Sequence, residues 1–166
     1  MLLFLDVISP IPEFCVIDDN KIILQEKIIQ NETDRLSDNI IQSYIEIDKR
    51  LNLTQNLKKI STTIGPGSYT SLRVGSAFIS GLMISRKIPY YPLSIEDILN
   101  FNPKKSSKKN LGVFITSSNN QQFLCYKNKD NVMEYNKIEN NKCSIPKHIE
   151  LIPVSYTHLR AHETRF

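Results

Sequence analysis

With 166 residues and a hydrophobic share of 40%, the chain can bury the core of one domain, or of one domain plus part of a second, and default disorder is excluded. A net charge of +4 is too modest to name a polyanionic partner, and no segment approaches the roughly 18 apolar residues a membrane span needs. Cys15, Cys125 and Cys143 are an odd number without paired spacing, so neither a disulfide framework nor a zinc site is expected, and a reduced, cytoplasmic setting fits best.

Leu2 to Leu5 reads as a buried strand ending at Asp6, and no basic region precedes it to make a signal peptide. Pro10 and Pro12 mark a turn, Phe14 to Ile17 a second strand, Asp18-Asp19-Asn20 a hairpin turn and Ile22 to Ile29 a third strand. The chain is therefore expected to open as an antiparallel meander. Thr33 or Asn31 then caps a helix from Asp34 to Leu51, where Leu36, Ile40, Tyr44, Ile47 and Leu51 recur every three or four residues. Ile41 and Ile45 widen this stripe; a stripe so wide packs on a sheet and leaves an edge for a partner. Polar residues 52–59 lead to a fourth strand, Ile60 to Ile64.

Next comes Gly65-Pro66-Gly67-Ser68-Tyr69-Thr70-Ser71-Leu72-Arg73-Val74-Gly75, a tight turn that launches a helix from Tyr69 to about Arg86. A helix start leaves backbone N–H groups unpaired, and glycine lets another group come close, so the turn suits an anion or a partner's backbone. Leu72, Ala77, Ile79, Leu82 and Met83 form the apolar side of this helix. Ser71, Gly75, Ser76, Ser80 and Gly81 make another side smooth. Glycine inside a helix costs about 1 kcal/mol relative to alanine, so these two call for a packing reason, and close approach of another helix is one.

Ile88 to Leu93 reads as a short strand, and Ser94-Ile95-Glu96-Asp97 as an approximate capping box for a short helix through Leu99. Residues 1–101 thus form an α/β domain and 102–110 a linker. The run Lys104-Lys105-Ser106-Ser107-Lys108-Lys109 reads as solvated chain before it reads as a nucleic-acid contact, because no aromatic side chains interleave it. Strands at 111–116, 122–126 and 132–135 open a second, partial domain over 111–153. Residues 154–166 lack lysine, hold two of the three histidines and depart from the Lys/Asn/Ile-rich body. They resemble an adapter-derived read-through tail and are set aside, which leaves a naturally longer chain as the expectation.

The eleven-residue motif in its strand–turn–helix setting closely resembles the signature of the TsaB (YeaZ) family, whose order of elements matches from Met1 to about Phe101, including Asp6 and the Pro92-Leu93-Ser94-Ile95-Glu96 segment. The resemblance implies an actin/Hsp70-like (ASKHA, ribonuclease H-like) α/β fold of two related halves, with a Gcp-like domain. It implies a bacterial, non-catalytic scaffold for a TsaD-type transferase that makes N6-threonylcarbamoyladenosine at position 37 of ANN-decoding tRNAs, with a TsaE-type ATPase joining the complex. ATP and Mg are then used by the complex and not bound directly by this chain, tRNA is contacted indirectly, and a homodimer is an option when the chain is alone. By the same analogy the partner-binding residues are Leu36, Ile40, Tyr44, Ser71, Gly75 and Ile79, and the motif turn is Gly65, Pro66, Gly67, Ser68, Thr70 and Arg73. The chain departs from the pattern at Val7 after Asp6, at Ser71 for glycine, and at Thr116-Ser117-Ser118-Asn119-Asn120, where an Asp-Ala-Arg-like strand end belongs.

No catalytic or metal-binding residue is assigned. Asp6 is the one candidate for a magnesium-bridged phosphate, but Val7-Ile8-Ser9-Pro10 lacks the glycines that bare such a cradle, so capping of a neighbouring turn competes. Ser68 is an N-cap or a nucleophile; it lacks nucleophile-elbow spacing, and only His148 remains as a base. No Gly-Lys-Ser/Thr makes a Walker A loop. Arg73 is set to pair with a carboxylate, in a partner or within the chain. His158 and His162 have metal-site spacing but fall in the suspect tail. The rival functions are a free-standing ATPase or kinase of the same fold, and a peptidase.

Overall fold

A computed structural model describes residues 1–30, 34–100, 110–117, 121–138 and 145–152. The proposed caps Asn31 and Thr33, residues 102–109, Cys143 and the tail lie outside these.

Among the described residues, nine strands and four helices follow one another as β1 (Leu2–Asp6), β2 (Glu13–Asp18), β3 (Lys21–Lys27), α1 (Leu36–Leu51), α2 (Leu53–Asn56), β4 (Lys59–Thr63), α3 (Tyr69–Ser85), β5 (Tyr90–Leu93), α4 (Ile95–Asn100), β6 (Asn110–Thr116), β7 (Gln122–Lys127), β8 (Met133–Lys137) and β9 (Ile149–Leu151). The first sheet has the order β3-β2-β1-β4-β5. The expected meander is present, with β1 antiparallel to β2 (Phe4 opposite Cys15) and β2 antiparallel to β3. On its other side β1 runs parallel to β4, and β4 parallel to β5. Every residue of β1 is buried, as a continuous apolar run at the centre of a covered sheet requires.

The second sheet, β8-β7-β6-β9, repeats the plan of a meander followed by a parallel strand. Strand β9 has no counterpart in the sequence reading: three residues are too few for a period to register. The short helix α2 escaped for the same reason.

Helix α1 begins at Leu36, two residues later than expected. Its N-cap is Arg35, whose side chain makes no cap bond, while the Asp34 carboxylate accepts from Gln30 N at 3.0 Å. Asn52, in the left-handed region, ends it. Phe14 of β2, Tyr44 of α1 and Phe78 of α3 join sheet to helices, with ring centroids 5.4 Å apart for Tyr44–Phe78 and 5.5 Å for Phe14–Phe78. The capping box forms as read: Asp97 N donates to Ser94 Oγ at 3.1 Å and Ser94 N to Asp97 Oδ2 at 3.0 Å. One apolar core runs from β1, α1 and α3 to Leu111, Val113, Ile115 and Cys125 on the inner side of the second sheet.

Candidate functional site

The conspicuous turn serves the chain's own packing. Gly65 has φ +109°, a backbone state that side chains resist, and the Gly65–Pro66 bond is cis. A Cβ at Gly67 would stand 2.8 Å from Ile8 Cγ2, and one at Gly75 would stand 2.9 Å from Val7 Cγ1. The motif glycines therefore seat α3 on the turn that follows β1. Ser68 caps α3 by accepting from Ser71 N at 3.5 Å, and Thr70 is exposed.

That same turn consumes Asp6. Its Oδ1 accepts from Ile8 N at 3.0 Å and Ser9 N at 3.3 Å, with Thr63 Oγ1 at 3.4 Å, and Ser9 Oγ donates to Oδ2. Burial pushes the Asp6 carboxyl up to about 6, against the lowering effect of the bonds from Ser9 and Ile8. A buried carboxylate whose oxygens are committed to its own turn does not fit a magnesium-bridged phosphate, and the Pro10 and Pro12 that follow carry no N–H to offer.

Beyond that turn lies a cavity of about 900 Å³ between the two sheets, with Lys27 and Gln30 on one side, Lys137 and Gln122 on the other, and Ser68 and Ser71 at its wall. Thr116 also lines it; its buried Oγ1 has no hydrogen-bond partner among the described residues, while its N–H donates to Ile8 O at 2.8 Å and ties the sheets together.

No nucleophile–base pair forms among the described residues: Ser68 is bonded to its own helix, and His148 stands edge-on to Tyr126 on the second sheet. Burial pushes the Cys15 and Cys125 thiols up to about 12, far from thiolate chemistry. No three His, Cys, Asp or Glu among the described residues are grouped to hold a metal.

The expected partner-binding residues need correction. Leu36, Ile40, Tyr44, Gly75 and Ile79 are buried inside the chain, and Ser71 is half-buried at the cavity. The period of a helix says which residues share a face, and the sheet has claimed this one. What remains outward on α1 is its stripe edge, Ile41 at 61% and Ile45 at 40% exposure. On α3 it is the row Tyr69, Arg73, Ala77, Ser80 and Ile84, flanked by Ser76, Gly81 and Met83. Ile84 is 88% exposed, and a Cβ on Gly81 would meet nothing within 4 Å. Arg73 has no carboxylate partner among the described residues; its guanidinium lies 5.4 Å over the Tyr69 ring. The 73–77–80–84 spacing was legible in the sequence, although its outward direction was not.

Residues 24–154 match the model of the family described as TsaD, tRNA N6-adenosine threonylcarbamoyltransferase. No match is found among curated proteins. In solved structures the chain is similar to YeaZ from Pseudomonas aeruginosa (TM-score 0.56, 14% identity, over 81% of this chain and 63% of that one). It is also similar to a P. aeruginosa protein described by its likeness to the peptidase YeaZ (TM-score 0.50, 16% identity, 87% and 69%). The chain thus spans less than two thirds of the first of these. At such identities the likeness speaks of fold, and the fold is the expected actin/Hsp70-like α/β arrangement.

Proposed function

Since the chain belongs to the TsaD family, that of tRNA N6-adenosine threonylcarbamoyltransferase, we propose that it serves this tRNA chemistry as a non-catalytic scaffold, holding a TsaD-type transferase subunit against the outward faces of α1 and α3. The observation that carries the reading is the α3 surface. Ala77, Ser80 and Gly81 are exposed and small, so another helix can approach closely, and Met83 and Ile84 supply apolar area beside them. Ile41 and Ile45 add to this from α1, which packs against α3 through Tyr44 and Phe78. In isolation the same face would support a homodimer.

The modified base is position 37 of ANN-decoding tRNAs, and a TsaE-type ATPase completes the complex, so that ATP and Mg enter through the partners. The commitment of Asp6 to its own turn supports this division of labour. Co-expression with a tagged TsaD-type subunit tests the reading: Ser80→Arg with Ile84→Asp should abolish co-purification while circular dichroism and thermal midpoint stay unchanged. Retention of the complex by that variant would rule out the face.

A further inference from the structure

The N-terminal lobe carries seven cations and no carboxylate between residues 49 and 95, and the fold gathers most of them at one end. Lys49 lies in the last turn of α1, Lys58 and Lys59 at the start of β4, and Arg86 and Lys87 just after α3. These segments are laced together: Lys58 N donates to Met1 O at 2.9 Å, Ile60 N to Pro89 O at 3.0 Å, and the Arg86 guanidinium to Thr54 O. Lys49, Lys58 and Lys87 are exposed, and Tyr90 stands half-buried at the beginning of edge strand β5.

Two of the neighbouring carboxylates are already paired: Asp18 is 3.4 Å from the terminal ammonium, and Glu26 is taken by Arg50. Asp48, which accepts from Thr54 N, and Asp19 and Glu46 keep their charge, so the five cations of the pole outnumber the three remaining acids. The patch sits at the start of β1, the opposite end from Asp6 and the cavity.

We propose that this pole is a contact surface for the phosphate backbone of folded RNA, so that the chain touches the tRNA directly. Convergence of cations from separate segments, with few competing acids, is the footprint of backbone recognition, in which each lysine displaces condensed counterions. The choice of RNA among polyanions rests on the proposed function; the patch itself does not.

The test is fluorescence anisotropy of an unmodified, ANN-decoding tRNA transcript with the full chain across a salt series. Wild-type affinity should fall linearly in log–log form. Lys58→Glu with Lys87→Glu should weaken binding about tenfold or more at low salt and reduce the slope by about 1.5, two phosphate contacts' worth. Lys27→Glu with Lys137→Glu makes the same charge change at the cavity, by the Asp6 end of β1 rather than its start, and should cost less than about threefold. Equal loss in both variants, no binding by the wild type at low salt, or binding of phosphatidylserine vesicles in place of tRNA would overturn the proposal. Co-purification of each variant with the transferase separates the two readings. Unchanged tRNA binding with an intact complex sinks only the RNA surface; lost tRNA binding by a chain that never forms the complex sinks only the scaffold.

Discussion

Gly75 and Val7 are in contact because one of them has no side chain: a Cβ at Gly75 would lie 2.9 Å from Val7 Cγ1 and 3.6 Å from Leu5 Cδ2. This contact fixes α3 against the end of β1 and the turn that holds Asp6. It also gives the helix glycine a reason internal to the chain.

Gly75→Ala should therefore destabilise the protein by about 1–2 kcal/mol, since overpacking against a stiff β-branched side chain outweighs the roughly 1 kcal/mol gained in helix propensity. Val7→Ala on its own leaves a cavity, yet combined with Gly75→Ala it relieves the clash. Urea denaturation of the four proteins of that cycle should give a favourable coupling of about 0.5–2 kcal/mol; strict additivity would mean the two residues do not constrain each other.

Asp6 makes stability depend on pH in the direction opposite to most carboxylates. Its folded pKa of about 6 lies above the ordinary aspartate value of 3.8, so the folded protein holds the proton more tightly than the unfolded chain. Stability contributed here is present below about pH 4 and is lost as the pH rises to about 6, by an amount on the order of 2–3 kcal/mol. Asp6→Asn keeps an acceptor for Ile8 N and Ser9 N without a charge, so the difference in unfolding free energy between variant and wild type should grow in the variant's favour from pH 4 to pH 6.5. A difference that stays flat over that range would contradict the assignment.

At Gly65, φ +109° is the constraint, and Leu72 Cδ1 would lie 3.4 Å from an added Cβ. Gly65→Ala should cost about 1–3 kcal/mol through backbone strain, and the loss should appear as a lower thermal midpoint. Ser94→Ala, which removes the acceptor for Asp97 N, is expected to cost about 1 kcal/mol by the usual worth of a cap.

Much of the fold was legible because its signals are local. The apolar run of β1, the Asp18-Asp19-Asn20 turn, the Gly-Pro-Gly break and the Ser94/Asp97 box each act within a few residues and appear where the sequence put them. The site was less legible, because its direction depends on distant neighbours. Leu36, Ile40 and Tyr44 share a helical face, but only the position of β2 and α3 makes that face inward and leaves Ile41 and Ile45 outside. Gly75 read as a surface for another helix, and the neighbour that explains it is Val7, 68 residues earlier. The gathering of Lys58 and Lys87 at one pole is likewise set by the pairing of β4 with β5.

Isothermal titration of the chain into a purified TsaD-type transferase subunit measures the docking claim most directly. The predicted result is a saturable 1:1 complex whose affinity falls at least about tenfold with Ser80→Arg and Ile84→Asp, at unchanged thermal stability, as truncation or blocking of an interface centre commonly does. Absence of binding by the wild type, or equal affinity of the variant, would contradict the account.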